Sequence, residues 1–507
     1  MLITVGNRLW FFTDVPIPAL YPDSSSYYIL TRSIMAGQWP EFTIRTPGYP
    51  VLLALVFGVS NSLMAVVLAQ HALMLCSCLL LVYAFHAIRP WLSIWAALAL
   101  SVYTCGVWSF EHDTAIMSDS PYSYAIVLVF GFLILALVRR RAGYFVAAST
   151  AMAGTILLRP AGMFLVVIYG FCLFFLWRNR FHRAHIAGFA APLPVVLLLL
   201  CTYNYATFGS FSMTAFGESQ LAFATFTFWE SDETYPPNVN DAIRRVQDVM
   251  RERLTDEQRA LLAGSWDLRR LGPIFLAAFY YPALDQASTL DGTIDYLAAR
   301  HWIRRVSLDS IAKHLDLYAK FVLTQLFLQF SNVLHQQDFM LFLNGRILEL
   351  YGSTKYTPGK GPPLYVEMAK EYATRPAPPG VQIEGEGVQA HAVVTRTSAS
   401  RRLYLQTLKV RETVFAAKFW VFAYFAALSV AATRLVLTKG RHLGAFIAFI
   451  LTISLFGASL VIALVEIGGH RYSYVLEYVY YLPVSVLPFL RIGRADGFET
   501  AAGPITP

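Results

Sequence analysis

The stretch Pro121 to Val138, PYSYAIVLVFGFLILALV, is entered from Met117-Ser118-Asp119-Ser120 and left through Arg139-Arg140-Arg141. It holds no charged residue, and at about 1.5 Å per helical residue it crosses most of a roughly 30 Å hydrocarbon layer. Proline at its start suits the first turn of a helix, where its missing N–H costs nothing. An apolar helix with an acid at one mouth and three arginines at the other reads as a membrane span whose cytoplasmic end is marked by the cations.

Working outward, comparable apolar stretches recur at 62–86, 91–108, 144–158, 161–177, 184–206, 415–437, 443–466 and 473–490. The segment Met1 to Leu20 is poorer: its short run Leu9 to Phe12 is followed by Asp14, Pro16 and Pro18, so it is neither a good signal peptide nor a good span. We read it as a weak first helix. The sequence is 56% hydrophobic and 14% charged, against about 25% charged in ordinary soluble domains. The fold class is therefore all-α polytopic membrane protein, with about ten transmembrane helices. The net charge of +8 comes largely from short basic loops, which is a topology signal and does not imply nucleic acid. Cys76, Cys78, Cys105, Cys172 and Cys201 all lie in apolar stretches and show neither disulfide nor metal spacing.

Simple alternation places Arg89, Arg139 to Arg141, Arg178 with Arg180 and Arg183, Lys439 with Arg441, and Arg491 with Arg494 on one side, the cytoplasmic one. Residues 21–61, 109–120, the turn at Arg159, 467–472 and the long region 207–413 are then outside. The organisation is 1–206, a transmembrane module with outer loops; 207–413, an outer region; 414–490, C-terminal transmembrane helices; and 491–507, a cytoplasmic tail. Leu317 to Leu334 is apolar, but a single extra crossing there would reverse the later loops. With Asp316, Lys320, Gln325 and Gln329 it reads as an amphipathic helix at the membrane surface. Pro50 to Ser60 is too short to cross and reads the same way. Helix-like pieces in the outer region are Asn240 to Leu262 and Ile294 to Leu315, and no internal repeat is visible.

The outer loops carry the residues with chemical potential. Asp23 stands in Pro22-Asp23-Ser24 and Asp119 at the mouth of its span, and either acid also suits a helix cap. Glu111, His112 and Asp113 are donor types for a divalent metal, with a merely solvated loop as the plain alternative. Arg45, Arg159 and Arg471 run against the charge bias of an outer face; each has snorkelling to headgroups as its ordinary explanation. Together, acids and arginines on one face describe a site for a phosphate beside a carboxylate.

Arg45-Thr46-Pro47-Gly48-Tyr49-Pro50-Val51-Leu52-Leu53-Ala54, preceded by Pro22-Asp23-Ser24, resembles the first outer loop of the GT-C membrane glycosyltransferases. Within that group it is similar to the protein O-mannosyltransferase and lipid A aminoarabinose transferase families, of glycosyltransferase family 39 type. In order along the chain, Met117-Ser118-Asp119-Ser120-Pro121 resembles the acidic motif of the second loop, and Leu157-Leu158-Arg159-Pro160 a recurring Leu-x-Arg-Pro stretch. Asn204-Tyr205-Ala206-Thr207-Phe208-Gly209 resembles the exit of the seventh helix, and Arg471-Tyr472 an Arg-Tyr before a late helix. Asp119 stands where relatives often carry Glu, and Tyr203 where they often carry Arg. The resemblance covers residues 20–211 and about 440–490.

The resemblance implies transfer of a sugar from a polyprenyl-phosphate donor to a glycan, lipid or protein acceptor, with inversion, at the periplasmic face of a bacterial inner membrane. It assigns Asp23 as general base, Asp119 to orientation or to a divalent metal if one is used, and Arg45, Arg471 and Arg159 to the donor phosphate. The alternative is a polytopic transporter or lipid-linked sugar flippase, whose charges would be expected near the membrane midplane. A non-catalytic scaffold is a further alternative.

Overall fold

The computed structural model describes residues 4–6, 8–9, 22–39, 45–60, 62–209, 211–214, 221, 224–253, 296–332, 381–384, 391–394, 419–465, 476–490 and 492. The helices of the N-terminal part are α1 (Pro22–Met35), α2 (Gly48–Val59), α3 (Leu63–Ile88), α4 (Pro90–Thr104), α5 (Val107–Thr114), α6 (Asp119–Arg139), α7 (Ala142–Leu158), α8 (Phe164–Arg178), α9 (Arg183–Ala190) and α10 (Pro192–Phe208). Then come α11 (Pro237–Arg253), α12 (Tyr296–Lys313) and α13 (Leu315–Asn332), and after them α14 (Phe419–Leu437), α15 (Leu443–Val465) and the single turn α16 (Tyr478–Tyr481). A small ribbon, β1 (Val381–Glu384) antiparallel to β2 (His391–Val394) with Val381 opposite Val394, is the exception to an all-helical architecture among the described residues.

Among the described residues, six helical stretches are long and apolar enough to cross a membrane: Leu63–Ile88, Asp119–Arg139, Pro160–Arg178, Arg183–Thr207, Trp420–Leu437 and Leu443–Leu464. Gly48–Val59, Pro90–Thr104 and Ala142–Leu158 are apolar but shorter. The outward faces carry exposed Leu68, Ile94, Val167, Phe174, Leu198 and Phe422, a surface that water would penalise and hydrocarbon accepts. The chain is an integral membrane protein.

The hub is α6, whose apolar window is 83% buried against protein and which packs between α3 and α7. Its last turn ends at Arg140, which closes the helix in the left-handed region at φ 52°. The basic loops share one end of the bundle: the Arg140 guanidinium lies 4.8 Å from the Phe181 ring, and Asn179 Nδ2 donates to the Gly440 carbonyl at 3.1 Å.

Two expectations are corrected. The stretch 91–108 ends as a helix at Thr104, and the expected loop at 109–114 is instead the two-turn helix α5. The stretch 473–490 is not a spanning helix: within 476–490 there is only α16 and a 3-10 turn, Leu487–Phe489. Pro483 and Pro488 remove backbone donors and break the helical ladder. The segment nevertheless runs through the interior, from Tyr478 beside Tyr103 (ring centroids 5.4 Å apart) to Leu487 against the start of α15. At that end its Leu487 carbonyl packs on Gly444, where any side chain would collide with it. Irregular backbone at membrane depth is tolerated where protein encloses it, and Leu476, Tyr478, Val479, Tyr480 and Leu487 are all buried.

Helix α13 lies antiparallel along α15. Tyr318 Oη donates to the Leu464 carbonyl at 2.8 Å, and Phe330 meets Tyr424, Phe425 and Phe456. The segment leading into α11 is joined to α12 by polar ties. Lys313 Nζ contacts Asp232 at 2.6 Å, and Tyr235 Oη donates to Asp309 at 2.8 Å. The hydrogen bond from Lys313, with further donors from Thr234, holds the Asp232 carboxyl well below the usual carboxylate range.

Candidate active site

The site end of the bundle, opposite the basic loops, is assembled from four short segments. The first is the start of α1. Tyr27, one turn beyond Asp23, is buried and its Oη shares a 2.7 Å hydrogen bond with Ser118 Oγ. The second is the turn into α2. Arg45 Nε donates to Ser26 Oγ at 3.1 Å, and its guanidinium lies 4.8 Å from the centre of the Tyr27 ring, a cation–π geometry. Thr31 Oγ1 donates to the Pro50 carbonyl at 3.3 Å and holds α1 against α2.

Gly48 explains the Thr-Pro-Gly-Tyr order of this turn. A Cβ there would stand 2.5 Å from the Leu157 carbonyl carbon and 2.6 Å from the Leu158 nitrogen, so only glycine lets α2 approach the backbone that leads into Arg159. Pro47 precedes it and Tyr49 follows fully buried, edge-on to Tyr27 at 4.9 Å.

The third and fourth segments meet in an ion pair. Asp119, in the first turn of α6 and fully buried, forms a salt bridge with Arg159 Nη1. Asp119 could have served as a cap, but the cap position is Ser118 and the Asp119 carboxylate is turned to Arg159. Arg159 follows α7 with extended backbone and leads into the 3-10 turn Pro160–Met163. Burying one of these charges alone would be costly, and each secures the other.

Beneath this pair lies a second one. Arg8 Nη2 contacts Asp113 Oδ2 at 2.7 Å and donates to the Thr104 carbonyl and Ser109 Oγ. Asp113 also accepts from Ser120 Oγ at 2.6 Å, Tyr124 Oη at 3.0 Å and Ser109 Oγ at 3.2 Å. Asp113 thus has a guanidinium as its cation. His112 is buried beside it on α5, but successive residues on a helix point about 100° apart, and no His, Cys, Asp or Glu cluster suited to a metal occurs among the described residues.

Of the residues singled out from sequence, Arg45, Asp119 and Arg159 are brought together through Tyr27 and Ser118. Asp23 sits in the first turn of α1 by its backbone; its side chain, that of Glu111 and the whole of Arg471 lie outside the described residues. Sequence reasoning missed Arg8, Tyr27 and Gln70. Arg8 carried a signal, a cation beside an apolar run that needs a partner. So did Glu477, a buried acid within an apolar stretch, which accepts a hydrogen bond from Tyr481.

Two solved structures are similar in overall arrangement. ArnT from Cupriavidus metallidurans in the apo state is 16% identical, with 96% of this chain and 76% of that chain covered and a TM-score of 0.31. The same protein bound to undecaprenyl phosphate is 15% identical, with 96% and 77% covered and a TM-score of 0.29. A likeness this loose says nothing of substrate or chemistry. No protein-family model matches the sequence, and no curated protein matches it.

Proposed function

We propose that the protein is a membrane glycosyltransferase that moves a sugar from a polyprenyl-phosphate donor to an acceptor hydroxyl at the periplasmic face. One observation carries the reading: the Asp119–Arg159 pair and Arg45 are linked through Ser118 and Tyr27 at the end of the bundle opposite the arginine-rich loops. Cations and carboxylates gathered at a membrane surface suit a lipid phosphate beside a reacting hydroxyl. The ordered motifs from Asp23 to Arg159 resemble those of the GT-C transferases and support the same reading.

In the proposed reaction the Asp23 carboxylate takes the proton of the acceptor hydroxyl as its oxygen attacks the anomeric carbon. The bond from that carbon to the phosphate oxygen breaks, and the electron pair leaves with the phosphate. Attack from the face opposite the leaving group inverts the configuration. Phosphate is a stable anion, so arginines can stabilise its developing charge in place of a general acid. Arg45, Arg471 and Arg159 are assigned that role. Asp119 fixes Arg159 through Nη1, and a guanidinium with five donors can hold a carboxylate and a phosphate together. Asp23→Asn is expected to abolish transfer while the protein still inserts and binds the lipid carrier; normal turnover in that variant would remove the general-base role.

A further inference from the structure

Gln70 lies inside the membrane helix α3 and is 1% exposed, among mainly apolar neighbours. A buried amide in such a place is costly unless its donors and acceptor are met. Its Nε2 donates to the Asp113 and Ala115 carbonyls, each at 2.9 Å, and its Oε1 accepts from Tyr49 Oη at 2.9 Å. These three bonds reach two separate chain segments. Tyr49, in the first turn of α2, directly follows the turn that carries Arg45, and residues 113–115 lead into Ser118 and Asp119. An apolar residue at position 70 would leave α3 packed but would cut this tie.

We infer that Gln70 is a positioning residue: through Tyr49 on one side and the 113–115 backbone on the other, it sets the place of the Arg45 turn relative to the Asp119–Arg159 pair. Tyr27 and Gly48 join the same parts at other points, so Gln70 governs alignment and not assembly. For its effect on turnover the inference rests on the transferase reading above; the mechanical tie stands apart from it.

The test uses the full-length protein in nanodiscs as wild type, Tyr49→Phe, Gln70→Leu and the double variant. Tyr49→Phe removes only the hydroxyl that Gln70 accepts, so it serves even if Gln70→Leu fails to fold. Hydrogen exchange at 113–119 should rise severalfold in Tyr49→Phe, although residue 49 donates its hydrogen bond to Gln70 and not to that segment. Exchange unchanged there would overturn the tie. Turnover per folded molecule should fall about tenfold in each single variant, with the acceptor KM within about twofold. The double variant should be no slower than Gln70→Leu, because both changes cut one connection. A merely structural role would lower yield and melting temperature while leaving kcat per folded molecule unchanged, and that result also overturns the inference. Exchange coupling in a wild-type protein that turns over no polyprenyl-phosphate sugar would keep the tie and sink the transferase reading.

Discussion

Gly48→Ala offers a measured displacement of the site. The added methyl would sit 2.5 Å from the Leu157 carbonyl carbon, where ordinary contact begins near 3.4 Å, so α2 and the end of α7 must separate by roughly 1 Å. The obstacle is backbone, which has no rotamer with which to yield. Overpacking of this kind costs about 1–3 kcal/mol, a loss that leaves the protein folded but lowers its melting temperature. The functional effect is expected to be larger, because Arg45 precedes Gly48 by one turn and Arg159 directly follows Leu158. A misplacement of about 1 Å between such groups costs on the order of a hundredfold in rate. The assay is release of polyprenyl phosphate from a labelled polyprenyl-phosphate sugar by purified protein in nanodiscs, with thermal unfolding measured in parallel. Gly154→Ala is the control: it lies on the same α7, an added methyl there meets nothing within 4 Å, and both rate and melting temperature should stay near wild type. A Gly48→Ala protein with wild-type rate and stability would refute the close approach and the site built on it.

Other consequences can be checked separately. Asp119→Asn leaves Arg159 without its carboxylate, and removing one partner of a buried pair costs about 3–5 kcal/mol; a chemical or thermal melt should show the loss, and the double change Asp119→Asn with Arg159→Gln should recover part of the stability without recovering transfer. The Asp232–Lys313 tie gives the region around α11 and α12 an acid limit. The Asp232 carboxyl is depressed in the folded protein, so its stabilisation is full above the unfolded carboxylate value of about 4 and is lost as pH falls from there towards the folded value. Lys313 is raised by the same hydrogen bond, so its share is lost only as pH rises beyond the usual lysine range. Hydrogen exchange across 230–253 and 296–313 should accelerate below about pH 4, and Asp232→Asn should flatten that dependence.

Much of this arrangement could be read from the chain alone, for identifiable reasons. Pro121 to Val138 is apolar throughout because α6 is enclosed by neighbours, and Arg139 to Arg141 mark one end, so the span and its basic end follow from composition. Arg45, Asp119 and Arg159 stood out because charges at the mouths of apolar helices need a cause. Gln70 did not stand out, since its partners Tyr49 and Asp113 are set by packing between separate helices. Arg8 was hidden because its partner lies about a hundred residues away and the run around it is interrupted. The candidate span 473–490 was misread over its described part, 476–490, for a physical reason: hydropathy reports burial in an apolar medium, and a non-helical crossing wrapped by protein looks like a span. Pro483 and Pro488 were the residues that could have corrected it.

The central claim, transfer from a lipid-linked sugar, is tested most directly by a mass spectrum of lipid-linked sugars and envelope glycans from cells lacking the protein. The account predicts that one polyprenyl-phosphate sugar accumulates and one envelope modification disappears, both reversed by the wild-type chain and not by Asp23→Asn. Unchanged lipid-linked sugars and unchanged glycans in those cells would contradict it.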